Sequence, residues 1–142
     1  MQYYLSLGAN IGEREQTIRK AIEQIEQRIG RVPRCSSHYY SAPWGFESKH
    51  GFCNVCCLVE TALQPEEVLA ITQAIERELG RTHKTENGQY ADRTIDIDLI
   101  RVFDEKGKEV RLHSEKLTIP HPLWKKRDFV SIPLFEILEE GR

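Results

Sequence analysis

At 142 residues with 39% hydrophobic content, the chain is long enough to bury one core without disulfides or a structural metal, so a single domain over 1–142 is expected. Its twenty Lys and Arg nearly balance twenty-two Asp and Glu, and a net charge of -2 gives no polycation argument for a nucleic-acid partner. The apolar start, Tyr3-Tyr4-Leu5, meets Asn10, Glu13 and Arg14 too soon for a signal peptide or a membrane span; a cytoplasmic monomer with no membrane partner is expected.

Gln2 to Leu7 predicts a strand entering a Gly8-Ala9-Asn10-Ile11-Gly12 turn, after which Ile18, Ile22, Ile25 and Ile29 recur at helical spacing. Gly30 closes that helix, and Arg31-Val32-Pro33 restarts the chain as a second strand toward Tyr39 and Tyr40. Residues 42–51 hold the glycines and proline of a loop, with Trp44 and Phe46 as an aromatic pair. Phe52 to Thr61 is an apolar run predicting a third strand. Pro65-Glu66-Glu67 then opens a helix with the stripe Val68, Ile71, Ile75 and Leu79, stopped by Gly80. Residues 81–92 are polar and read as a lid; Thr94 to Ile100 alternates with period two and reads as a fourth strand. The order strand, helix, strand, strand, helix, strand predicts an α+β, ferredoxin-like βαββαβ core. Its sheet is antiparallel with the helices on one side. A flavodoxin-like sheet is the alternative. The turn signal Asp104 to Lys108 and the stretch Leu117 to Pro122 are a C-terminal extension to that core.

Four cysteines stand at 35, 53, 56 and 57. Cys53 and Cys56 have the two-residue gap of a zinc or redox pair, but no second pair follows, and all four are read as reduced core thiols.

Asp96-Ile97-Asp98 is the sharpest chemical signal: strand alternation sends both carboxylates to one face while Ile95, Ile97 and Leu99 point to the core. A solvated sheet edge explains such a pair blandly. A divalent cation explains it chemically, because Mg²⁺ is often held by one or two carboxylates together with substrate phosphates. Arg93, with Arg81, His83 and Lys84 nearby in sequence, supplies phosphate donors. Phe52 and Asn54 share one strand face and offer a flat ring beside an amide, which suits a planar, nitrogen-rich ligand. The basic run Lys125-Lys126-Arg127 reads as solvated surface, and Gly8 to Gly12 as a turn.

Taken together, these motifs resemble the 6-hydroxymethyl-7,8-dihydropterin pyrophosphokinase family. The likeness rests on Gly8 to Gly12, Ser37-His38-Tyr39 with Pro43 and Gly45, Phe52 with Asn54, and Gln73-Ala74-Ile75-Glu76 with Gly80-Arg81. Arg93 to Asp98, Pro120-His121 and Arg127-Asp128-Phe129 complete it. The resemblance implies transfer of the β,γ-pyrophosphoryl group of ATP to the pterin hydroxymethyl oxygen, giving AMP and the pterin diphosphate. It implies two Mg²⁺ ions on Asp96 and Asp98, and catalytic contacts from Arg81, Arg93 and the two aspartates. Gln73, Glu76, Arg81, His83, Arg93, Ile97, His121 and Arg127 are implied on the nucleotide. The pterin would lie between Phe52 and Phe129, read by Asn54, by the backbone of Ser41, Ala42, Pro43 and Trp44, and approached by Asp96.

Three departures stand out: Tyr90 where the family commonly has Trp, Asp92 where it has Pro, and His83 where a second phosphate-binding Arg is common. Fold alone also admits a nonenzymatic nucleotide-binding regulator, and a metal-dependent phosphohydrolase is a second alternative.

Overall fold

The computed structural model describes residues 1–10, 12–41, 51–80 and 95–142. The chain runs β1 (Gln2–Ala9), α1 (Arg14–Arg28), β2 (Arg31–Cys35), β3 (Tyr39–Ser41), β4 (Phe52–Glu60), α2 (Pro65–Gly80) and β5 (Asp96–Phe103). The extension adds β6 (Leu112–His113), β7 (Thr118–Ile119), a 3-10 turn at Trp124–Lys126 and α3 (Asp128–Ile137). The main sheet has the order β2-β4-β1-β5, with β3 also on β4, and its pairings are antiparallel. This is the expected βαββαβ topology.

Local chemistry explains several of the boundaries. In α2, Pro65 stands at the first helical position, and the Glu67 carboxylate accepts the Gln64 amide at 3.2 Å, satisfying a donor that the helix cannot. The second strand breaks at residues 36–38. There the Ser36 hydroxyl accepts the Cys56 amide at 2.9 Å, taking the place that a ladder carbonyl would fill. β1 runs two residues beyond the expected strand, so Gly8 and Ala9 belong to the sheet and not to the turn.

Helices α1 and α2 cover one face. Their Ile18, Ile25, Val68 and Ile75 pack with Leu5, Leu7, Val55, Cys57, Ile97 and Leu99. The extension does what periodicity did not foresee: α3 packs on the opposite face, where Val130, Leu134 and Ile137 join Tyr4, Cys56, Leu58, Ile100 and Trp124. Two-sided cover explains why β1 and β4 are buried along nearly their whole length instead of alternating. It also shows why the three cysteines of β4 are buried; Cys35, by contrast, is exposed, which corrects its reading as a core thiol. Cys53 faces the α1/α2 side and Cys56 the α3 side, so the two-residue gap does not make a pair.

A bulge in β5 serves both layers. The pairing passes from Leu5 with Leu99 to Tyr4 with Arg101, leaving Ile100 as the extra residue. Leu99 and Val102 therefore face α1 and α2 while Ile100 and Phe103 face the second core. The edge of β5 is covered in turn. Val110 donates its amide to Val102 and His121 donates its amide to Ile100, each at 2.8 Å.

Candidate active site

The α3-side face of the sheet is filled by the second core at one end and left open at the other. The open end is a cavity of about 600 Å³, within the usual range for small-molecule sites. Sheet residues Ser6, Gly8, Tyr39, Ser41, Phe52 and Asn54 form its floor and one wall, with Asp96 and Asp98 beyond them. The far wall is the start of α3 and the residues before it: Lys126, Arg127, Asp128 and Phe129. Ser37 fixes that wall, since its amide and hydroxyl both donate to the Glu136 carboxylate of α3, at 2.9 and 2.8 Å.

Strand register sets the spacing. Gly8 pairs with Asn54 on one side and with Asp96 on the other, and Ser6 pairs with Asp98. The amide and the acidic pair are thus two strand spacings apart, about 10 Å. A Cβ on Gly8 would stand 2.5 Å from Asn54 Oδ1, so the Asn54 side chain lies over a backbone that only glycine leaves clear. Asn54 is 4% exposed, and its Nδ2 has no hydrogen-bond partner among the described residues. A buried amide donor without an acceptor is costly unless a ligand supplies one.

Phe52 and Phe129 are both half-buried and line the cavity from opposite walls; the Arg127 guanidinium lies 5.9 Å from the Phe129 ring centre. Arg127 and Lys126 line the cavity, Lys126 exposed to solvent as its basic run suggests and Arg127 half-buried. Ser41 lies at the cavity, directly before 42–50. Arg14 ties the chain on both sides of that segment, donating to the Gly51 carbonyl at 2.7 Å and lying 5.5 Å from the Tyr40 ring centre.

The other expected residues divide. Ile97 is buried, and its amide donates to the Glu76 carboxylate at 2.8 Å, so Glu76 holds the strand between the two aspartates. Gln73 lies exposed on α2, and neither it nor His121 lines the cavity. The His121 Nδ1 accepts the Leu123 amide at 3.1 Å, which leaves Nε2 as the hydrogen-bearing nitrogen. Burial, with help from the Arg127 charge, holds His121 below its ordinary pKa. Arg81, His83, Arg93, Ala42, Pro43 and Trp44 lie outside the described residues, as does the lid expected over 81–92.

Ser6 and Gly8 are cavity residues that reasoning from sequence left in a strand and a turn. The available signal was the small pair at 6 and 8 alternating with Leu5 and Leu7, which clears one face of a strand.

Comparison with known proteins bears on the whole chain. The family model for 7,8-dihydro-6-hydroxymethylpterin-pyrophosphokinase (HPPK) matches residues 4–139. A 2-amino-4-hydroxy-6-hydroxymethyldihydropteridine pyrophosphokinase of Porphyromonas gingivalis is 44% identical over 134 residues, 94% of this chain and 88% of the relative. That of Aquifex aeolicus is 38% identical over 94% of this chain and 78% of its own. A solved HPPK-DHPS structure in complex with substrates superposes with a TM-score of 0.67 at 15% identity. The match covers 96% of this chain and 39% of that one, and establishes likeness of fold. The chain therefore belongs to the 7,8-dihydro-6-hydroxymethylpterin pyrophosphokinase family, enzymes that transfer a pyrophosphoryl group from ATP to hydroxymethyldihydropterin.

Proposed function

We propose that the cavity seats the pterin ring between Phe52 and Phe129, with Asn54 and the Ser41 backbone on its polar edge. The ATP phosphates then lie on the Asp96 and Asp98 side. The observation that carries this reading is the unpartnered Asn54 amide, buried at the aromatic end of a cavity whose other end is acidic. A ring bearing nitrogen and oxygen acceptors completes that amide; the backbone of 42–44 completes the same edge.

Mg²⁺ fits the acidic end. Asp96 and Asp98 offer hard oxygen donors on one strand face, and no cluster of three or more metal-ligating side chains occurs among the described residues. Such a pair suits an ion whose remaining positions are filled by phosphate oxygens and water. Two ions held there with ATP would neutralise phosphate charge during transfer.

The protein's own contribution is position and charge. The ring sandwich aims the hydroxymethyl oxygen toward the β-phosphorus for in-line attack, with AMP leaving and the two terminal phosphates transferred together. Arg127, beside Phe129, brings a cationic donor to the cavity, and Arg81 and Arg93 are assigned to the phosphates. Gln73, Glu76, Ile97, His83 and the Nε2 hydrogen of His121 are assigned to the nucleotide side. A phosphohydrolase needs no two-walled aromatic seat, so the cavity favours the pterin alcohol over water as the attacking group.

An assay with ATP, Mg²⁺ and hydroxymethyldihydropterin tests the reading. AMP and pterin diphosphate are expected in equal amounts, with Asp98→Asn lowering turnover by roughly 10²-fold or more and leaving the circular dichroism spectrum unchanged. Phosphate release without pterin, or full activity of Asp98→Asn at limiting Mg²⁺, would overturn it.

A further inference from the structure

Cys35 ends the edge strand β2 and stands directly across from Cys57 of β4. The next residue pair shows which kind of site this is: Ser36 donates its amide to the Cys56 carbonyl at 2.8 Å, so Cys35 and Cys57 form a non-hydrogen-bonded pair. In such pairs the Cα atoms lie about 4.5 Å apart with side chains on the same face, inside the range that a disulfide spans. Cys35 is exposed and Cys57 buried.

We propose that Cys35 and Cys57 are a peroxide-sensitive modification site, in which an oxidant of the hydroperoxide class converts the two thiols into a disulfide joining β2 to β4. In the first step the Cys35 thiolate attacks a peroxide oxygen. A sulfur–oxygen bond forms, the oxygen–oxygen bond breaks, and the sulfur gives up two electrons to become a sulfenic acid while the leaving alkoxide, or hydroxide when the oxidant is hydrogen peroxide, takes a proton. In the second step the Cys57 sulfur attacks the Cys35 sulfur, the sulfur–oxygen bond breaks, and the departing hydroxide with the Cys57 proton makes water. Two thiols and one hydroperoxide give one disulfide, one water and the corresponding alcohol, or a second water when the oxidant is hydrogen peroxide.

The division of roles follows from the surroundings. The neighbouring Cys57 side chain holds the Cys35 thiol below its ordinary range, outweighing burial and the Glu26 carboxylate of α1, which push it up. The Cys35 side chain, followed by burial, pushes Cys57 well up, with charge on Cys56 and Glu26 adding to the rise. The exposed thiol is therefore the nucleophile and the buried one the resolving partner. The residues enclosed between the two sulfurs include Ser41, Phe52 and Asn54, so the bond closes the segment that forms one wall of the cavity.

The test uses the intact protein. After treatment with hydrogen peroxide, acid quench and unfolding in N-ethylmaleimide, only two of the four cysteines should be alkylated, and non-reducing peptide maps should join Cys35 to Cys57. The unalkylated protein should be lighter by about 2 Da and return to its starting mass with dithiothreitol. Cys35→Ser, an exposed change that should leave the fold intact, should abolish the loss of thiols; Cys53→Ser should not. Alkylation of all four cysteines after peroxide, a bond between any other pair, or a Cys35-linked dimer would overturn the proposal.

Discussion

The Glu76 carboxylate of α2 accepts the Ile97 amide at 2.8 Å, on an edge strand and between the two aspartates of the acidic pair. One contact thus joins helix placement to the register of Asp96 and Asp98. In Glu76→Ala the Ile97 amide loses its acceptor, and urea unfolding should show a loss of about 1–3 kcal/mol. Glu76→Gln keeps an acceptor oxygen and should recover most of that stability. If the alanine variant matched wild type in stability, the contact would have no structural weight.

Gly8 is the position where the site leaves least room. Gly8→Ala places a methyl 2.5 Å from Asn54 Oδ1, so the Asn54 amide must move or β1 must shift. The variant should lose about 1–3 kcal/mol of stability. Calorimetric titration should show pterin affinity falling several-fold more than the affinity for an ATP analogue. Equal losses for the two ligands would place Asn54 outside the pterin seat.

His121 supplies a pH dependence whose sign is set by its surroundings. Burial and Arg127 lower its folded pKa below the ordinary 6.5, so the native state binds this proton less readily than the unfolded chain. The stabilising contribution is complete above the unfolded value and is lost as pH falls through the folded one, where the Nδ1 acceptor of the Leu123 amide becomes protonated. Proton NMR of the His121 ring should titrate with a midpoint below 6.5, and His121→Asn should flatten the acid limb of the stability profile. A ring midpoint at or above 6.5 would show that the imidazole is solvated or paired with an acid.

Much of this molecule was written in local order. Alternation through Asp96-Ile97-Asp98 placed both carboxylates on one face because a strand has a period of two, and Pro65 marked the start of α2 through backbone chemistry alone. The pairing of Phe52 with Asn54 on one face was legible for the same reason. What tertiary structure decided were relations across strands and layers, which no local period encodes. The seat of α3 on the second sheet face placed Lys126 and Arg127 along a cavity wall. Antiparallel register brought Gly8 under Asn54, and brought Cys35 to Cys57 while Cys53 and Cys56, closer in sequence, were sent to opposite layers. Side-chain direction along one strand follows from residue spacing, but the neighbour a side chain meets depends on which strand folds beside it and at what offset.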